Sequence, residues 1–194
     1  MVSVARFSAR SAATGLLVLA LSVGGSIARA TDFVTTRVKT GARIFRAVLS
    51  SDLDLDAKAE GDGTLVVLVY HNGTSDLAQL ATEVIAAEGK ELAPGHHLRV
   101  ERVNSLTSVA GRPAALFLAD DLSRDALEAL VRWGVEKKVF VFSPYEGHVE
   151  RGVAGGVLVG ARVLPFLNKS TLARTGLRFS ATVMQVSKLH EGTP

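Results

Sequence analysis

The sequence predicts a single three-layer α/β domain: a mostly parallel central sheet, helices on both faces, and a C-terminal β-hairpin added to it. Three patterns carry that expectation. Continuous apolar runs at Thr64–Tyr70 (TLVVLVY), 114–119 (AALFLA) and 139–142 (VFVF) lack polar alternation, as strands buried on both faces require. Stretches with apolar residues at helical spacing alternate with these runs. Turn-forming residues mark the joints. Strand–helix–strand alternation of this kind implies right-handed crossovers and a doubly wound sheet.

The first helix is predicted over residues 35–49, where Val34, Val38, Gly41, Phe45 and Val48 form one stripe. Arg37, Lys39, Arg43 and Arg46 lie largely off it. Residues 52–63 (DLDLDAKAEGDG) are polar and glycine-punctuated and read as a solvated loop. After the 64–70 strand, His71 to Ser75 make the exit turn. The next helix places Leu77, Leu80, Ala81, Val84 and Ile85 on one face, with Thr74 or Ser75 as cap, Asp76 in the first turn and Gly89 as stop. Residues 97–103 (HLRVERV) alternate like a partly exposed strand. Ser123 caps a helix with Leu127, Leu130, Val131 and Gly134 facing inward, and Trp133 belongs to the core or its rim. Ser143-Pro144 ends the 139–142 strand.

The first thirty residues read as a secretory signal peptide. Arg6 and Arg10 supply a positive start, residues 12–23 are a short apolar run, and Ala28-Arg29-Ala30 offers a small-x-small site with cleavage after Ala30. The apolar run is shorter than the ~20 residues of a spanning helix. The whole chain carries 22 Lys and Arg against 19 Asp and Glu, a formal +3. Loss of residues 1–30 removes Arg6, Arg10 and Arg29 and no acid, so the remainder is neutral, and nucleic-acid binding is not expected. With no cysteine, disulfides, thiol catalysis and cysteine metal sites are excluded.

Toward the C-terminus, residues 152–159 and 162–167 read as two short strands turning near Gly160. Asn168 to Arg174 make a short helix closed by Gly176, and Leu177 begins an extended piece. Ser180 opens a final helix through Leu189, although Thr182, Val183 and Val186 also suit a strand. The pattern Gly155-Gly156-Val157-Leu158, a strand ending in Asn168, Gly176-Leu177 and then Ser180 resembles the YfiR-like family of periplasmic proteins. Upstream, the VVLVY strand, the ALFLADDLS junction and VFVFSP follow the same order. The resemblance implies an exported, non-enzymatic regulator that touches the periplasmic part of an inner-membrane diguanylate cyclase and so controls cyclic-di-GMP. It also implies an outer-membrane lipoprotein partner and a homodimer. Ser50-Ser51-Asp52 stands where many members have Trp-Pro, and redox-linked control through cysteines does not carry over.

No catalytic constellation stands out. Asp52, Asp54 and Asp56 are spaced like the start of a calcium loop, but Ala57 and Gly63 occupy the places that need Gly and a bidentate Glu. The five histidines, His71, His96, His97, His148 and His190, form no metal-binding pair on a helix. His71 and His148 both follow strands and are the pair expected to converge. No nucleophile elbow or phosphate loop is present, so neither metal nor cofactor is expected.

The remaining site expectation is topological, because open α/β sheets bind ligands and partners beyond the carboxyl ends of their strands. Those ends carry His71, Asn72, Gly73, Thr74, Asp120, Asp121, Ser143, Tyr145 and His148. The helix after Ser75 would present its amide end there, suited to a small anion. The same residue types also serve as turn formers and caps. Two functions follow as expectations: a periplasmic regulator acting by protein contact, and a single-lobe binder of a small ligand for transport or sensing. An exported hydrolase has no nucleophile with a recognisable base beside it.

Overall fold

The computed structural model describes residues 19–73, 76–87 and 91–192. The positive start of the expected export signal, most of its apolar run, Thr74, the expected Ser75 cap and the expected Gly89 stop lie outside the described residues. The chain divides into two compact units, Met1–Thr35 and Thr36–Pro194. The described part of the first is helical from Leu19, within α1 (Leu19–Leu49). Helix α1 thus begins well before residue 35, with no proline in residues 19–34 to break it.

The second unit is built on one eight-stranded sheet, in the order β2-β3-β1-β4-β5-β6-β7-β8. The strands are β1 (Thr64–Tyr70), β2 (Glu91–Ala93), β3 (His96–Val103), β4 (Ala115–Leu118), β5 (Phe140–Ser143), β6 (Gly155–Val159), β7 (Val163–Asn168) and β8 (Lys188–His190). Strands β3, β1, β4, β5 and β6 run parallel to one another, and among the described strands only the β2–β3 and β6–β7 pairs are antiparallel. The expected α/β class and C-terminal hairpin are therefore present. Helices α2 (Asp76–Ala87), α3 (Arg124–Lys137), α4 (Lys169–Thr175) and α5 (Ala181–Val186) complete the unit.

Alternation along the strands divides the core into two faces. On one, Phe45 of α1 meets Phe117, Phe140 and Phe142 at centroid distances of 5.5, 6.1 and 5.5 Å. On the other, Leu68, Leu116, Leu118 and Val141 pack against Leu127, Leu130 and Val131 of α3, with Trp133 at the rim. Gly41 lets α1 close on the β5 exit turn, since a Cβ there would lie 2.6 Å from the Pro144 Cβ. Ser123 caps α3 as expected, its hydroxyl accepting from the Ala126 amide.

The structure departs from the sequence reading at further points. The final helix stops at Val186 and the chain turns into β8, because Lys188 to His190 pair with Phe166 to Asn168. Strand β2 has three residues, too few to show a period in the sequence. Arg46, off the apolar stripe of α1, is nonetheless buried, its guanidinium donating to Ile85 O at 2.7 Å in the last turn of α2 and to Glu91 O at 2.6 Å in β2. The 52–63 segment is not wholly solvated. Leu55 is buried, and Asp52 and Lys58 form a buried ion pair beneath it.

Candidate functional site

The five parallel strands lie in the order β3-β1-β4-β5-β6, so the chain builds outward to one side of β1 and then to the other. The switch falls between β1 and β4, where such sheets open a crevice at their carboxyl ends. Here that crevice is bridged. The Asn72 amide donates to Asp120 Oδ2 at 2.8 Å, and the Ala119 amide to Tyr70 O at 2.9 Å. Asp120 thus takes an amide that an incoming anion would otherwise meet. His71 holds its backbone to Val103 O at 3.0 Å, while its ring Nδ1 is buried without a hydrogen-bond partner.

One strand further along, a linked group of side chains forms. Ser143, the last residue of β5, places its hydroxyl 2.8 Å from His148 Nδ1, and His148 Nε2 lies 2.9 Å from Asp121 Oδ1. The Tyr145 amide donates to Ser143 Oγ at 3.2 Å, and its phenol donates to Ala119 O at 2.5 Å. Burial pushes the His148 pKa below its ordinary value against the opposing pull of Asp121. A neutral imidazole donates from Nε2 to Asp121 and accepts from Ser143 at Nδ1. Burial, followed by the charges of Asp120 and Asp121, raises the Tyr145 phenol, so it stays a donor.

The loop that carries His148 is pinned from the C-terminal segment. Asn168 donates through Nδ2 to Val149 O at 2.8 Å, and Thr171 donates to Gly152 O at 2.9 Å. Asn168 also caps α4 through Oδ1, while Gly176 closes it in a left-handed conformation at φ 70°. Leu177 is buried and Ser180 caps α5. Gly155 and Gly156 allow β6 to lie close, since a Cβ would come within 2.6 Å of Phe140 and 2.7 Å of Ser143 O.

No protein-family model and no curated protein matches the chain. Solved structures do resemble it. An ABC domain in complex with L-Trp from Streptococcus pneumonia is 12% identical, with a TM-score of 0.50 over 73% of this chain and 61% of that one. A conserved domain protein from Vibrio cholerae is 14% identical, with a TM-score of 0.52 over 80% of this chain and 60% of that one. CD0873, a substrate binding protein with adhesive properties from Clostridium difficile, is 14% identical in its ligand-free, open structure, with a TM-score of 0.48 over 72% and 58%. The chain spans about three fifths of the length of each of these structures. At such identities the shared property is the fold.

Among the sequence-selected residues, Asn72 meets Asp120, and Ser143, Tyr145 and His148 meet one another. Gly73 is exposed, and no hydrogen bond or ring contact joins His71 to His148 among the described residues. The expectation that no nucleophile has a base beside it is overturned, because Ser143, His148 and Asp121 are chained as serine, imidazole and carboxylate. The signal was available: Ser143 ends β5, and Asp121 and His148 follow the ends of β4 and β5 on the same edge of a parallel sheet. Their burial runs against catalysis, however. Ser143 is fully buried and His148 is 1% exposed, while the carboxylate is at the surface. A serine that attacks a substrate must be the exposed member of such a chain. No cluster of three or more metal-ligating side chains occurs among the described residues, and no described helix is long and apolar enough to cross a membrane.

Proposed function

We propose that the chain is an exported regulatory protein of the YfiR type, acting by contact on the periplasmic part of an inner-membrane signalling protein, by resemblance a diguanylate cyclase. The observation that carries this reading is the inverted burial of the Ser143–His148–Asp121 chain. Its hydrogen bonds are spent on fixing the strand-end surface, and what faces outward is a preorganised set of polar groups: Asn72, Asp120, Asp121 and the edge of Tyr145. Such a surface suits recognition, because the partner need not order it. The partner's output changes only if one of its states is bound more tightly.

The test is capture of partners from a detergent-solubilised envelope with a C-terminally tagged chain. The expected result is recovery of a membrane signalling protein, lost with Asp121→Arg. Recovery of none, or equal recovery by that variant, overturns the reading.

A single-lobe ligand binder is the second reading, supported by the fold shared with a domain crystallised with L-Trp. A thermal-shift screen of amino acids that raises the melting temperature saturably, with no membrane protein captured, would favour it.

A further inference from the structure

The connection from β3 to β4 (residues 104–114) contains no helix. In a doubly wound sheet a crossover helix covers the strands at such a place. Here the loop covers them incompletely, and Val66, Val103 and Val109 remain only partly buried at the edge of the α3-side core. The result is a cleft of about 640 Å³, of the size that holds a small organic molecule. Its floor is Val66, Leu68 and Val103, its wall Val109 and Pro113, and its rim is charged.

The rim charges are unequal in their commitments. Arg99 is consumed by two carboxylates, with Nη2 2.6 Å from Glu60 Oε1, Nη1 3.0 Å from Glu60 Oε2 and Nε 3.0 Å from Glu101 Oε1. Lys58 is bound to Asp52. Arg112 is exposed; it acts on the Asp54 carboxylate through space, but no carboxylate lies within 4 Å of its guanidinium among the described residues. An apolar floor beside a guanidinium that makes no direct ion pair selects for one chemistry. We infer that this cleft binds an amphipathic organic anion, with its carboxylate or sulfonate on Arg112 and its apolar body on Val66, Leu68 and Val103. The site shares no residue with the strand-end cluster, so the two stand or fall separately.

The probe is 1-anilinonaphthalene-8-sulfonate, titrated by fluorescence against the full chain. Saturable binding is expected, with displacement by octanoate but not by octylamine. Arg112→Glu is expected to weaken the saturable component about tenfold, the size of one charge-assisted contact. Ser108→Trp, at an exposed position on the lip, should weaken it by obstruction. Near-UV circular dichroism identical to wild type shows that each variant remains folded. Absence of a saturable phase, an unchanged affinity in Arg112→Glu, or displacement by octylamine as effective as by octanoate overturns the inference.

Discussion

Asp121 and His148 meet at 2.9 Å across the boundary between solvent and interior: the aspartate side chain is 70% exposed and the imidazole 2%. The folded protein keeps His148 neutral, with its pKa below the ordinary 6.5, whereas the unfolded chain takes up the proton at that ordinary value. Below about pH 6.5 the unfolded state therefore binds more protons, and stability falls as the pH falls. Urea midpoints measured at about pH 7.5 and about pH 5 should show this decline. In His148→Gln the decline should be shallower, and an identical slope in the two proteins would contradict the assignment.

The buried pair of Asp52 and Lys58 invites a different test. Asp52 also accepts the Asp54 amide at 2.9 Å, so its carboxylate organises the turn that follows α1. Lys58→Met strands a buried charge and should cost about 3–5 kcal/mol. Adding Asp52→Asn, which keeps the acceptor for the Asp54 amide, should recover a large part of that loss in chemical denaturation.

Glycines in the C-terminal segment should respond to alanine in proportion to what surrounds them. Gly156→Ala meets the backbone carbonyl of Ser143 at 2.7 Å, which cannot rotate away. It should cost at least ~1–3 kcal/mol, the usual range for overpacking. Gly176→Ala meets nothing within 4 Å and loses only its left-handed backbone preference, about 1 kcal/mol. Thermal or urea unfolding should rank the two in that order.

Asn168 serves two segments with one amide group. Asn168→Ala removes both the α4 cap and the donor to Val149 O, and should cost about 2–4 kcal/mol. Asn168→Asp keeps the cap but faces Val149 O without a donor, so it should rescue only part of the loss. Amide exchange of the 144–154 loop should quicken in both variants.

The long elements were legible because each carries its own signal. β1, β4 and β5 are unbroken apolar runs, and α3 has both a stripe and a serine cap. β2 and β8 have three residues each and no measurable period, so only pairing with a neighbour defines them. Asp52 and Lys58 sit in a composition that reads as solvent-facing. Their burial depends on the distant 178–179 segment, where Leu53 bonds Arg178 O and Asp52 bridges Phe179. The strand-end group was legible as a neighbourhood, since topology gathers those turns. Its bonding was not, because the reach of Asp121 to His148 depends on how the β5–β6 loop folds back.

The two outermost strands are the three-residue pieces beginning at Glu91 and Lys188. A strand that short, opening on a charge, is a poor template for another chain's backbone. Lateral growth into fibrils is discouraged at both margins. Any visiting polypeptide is steered away from strand addition and towards recognition through side chains.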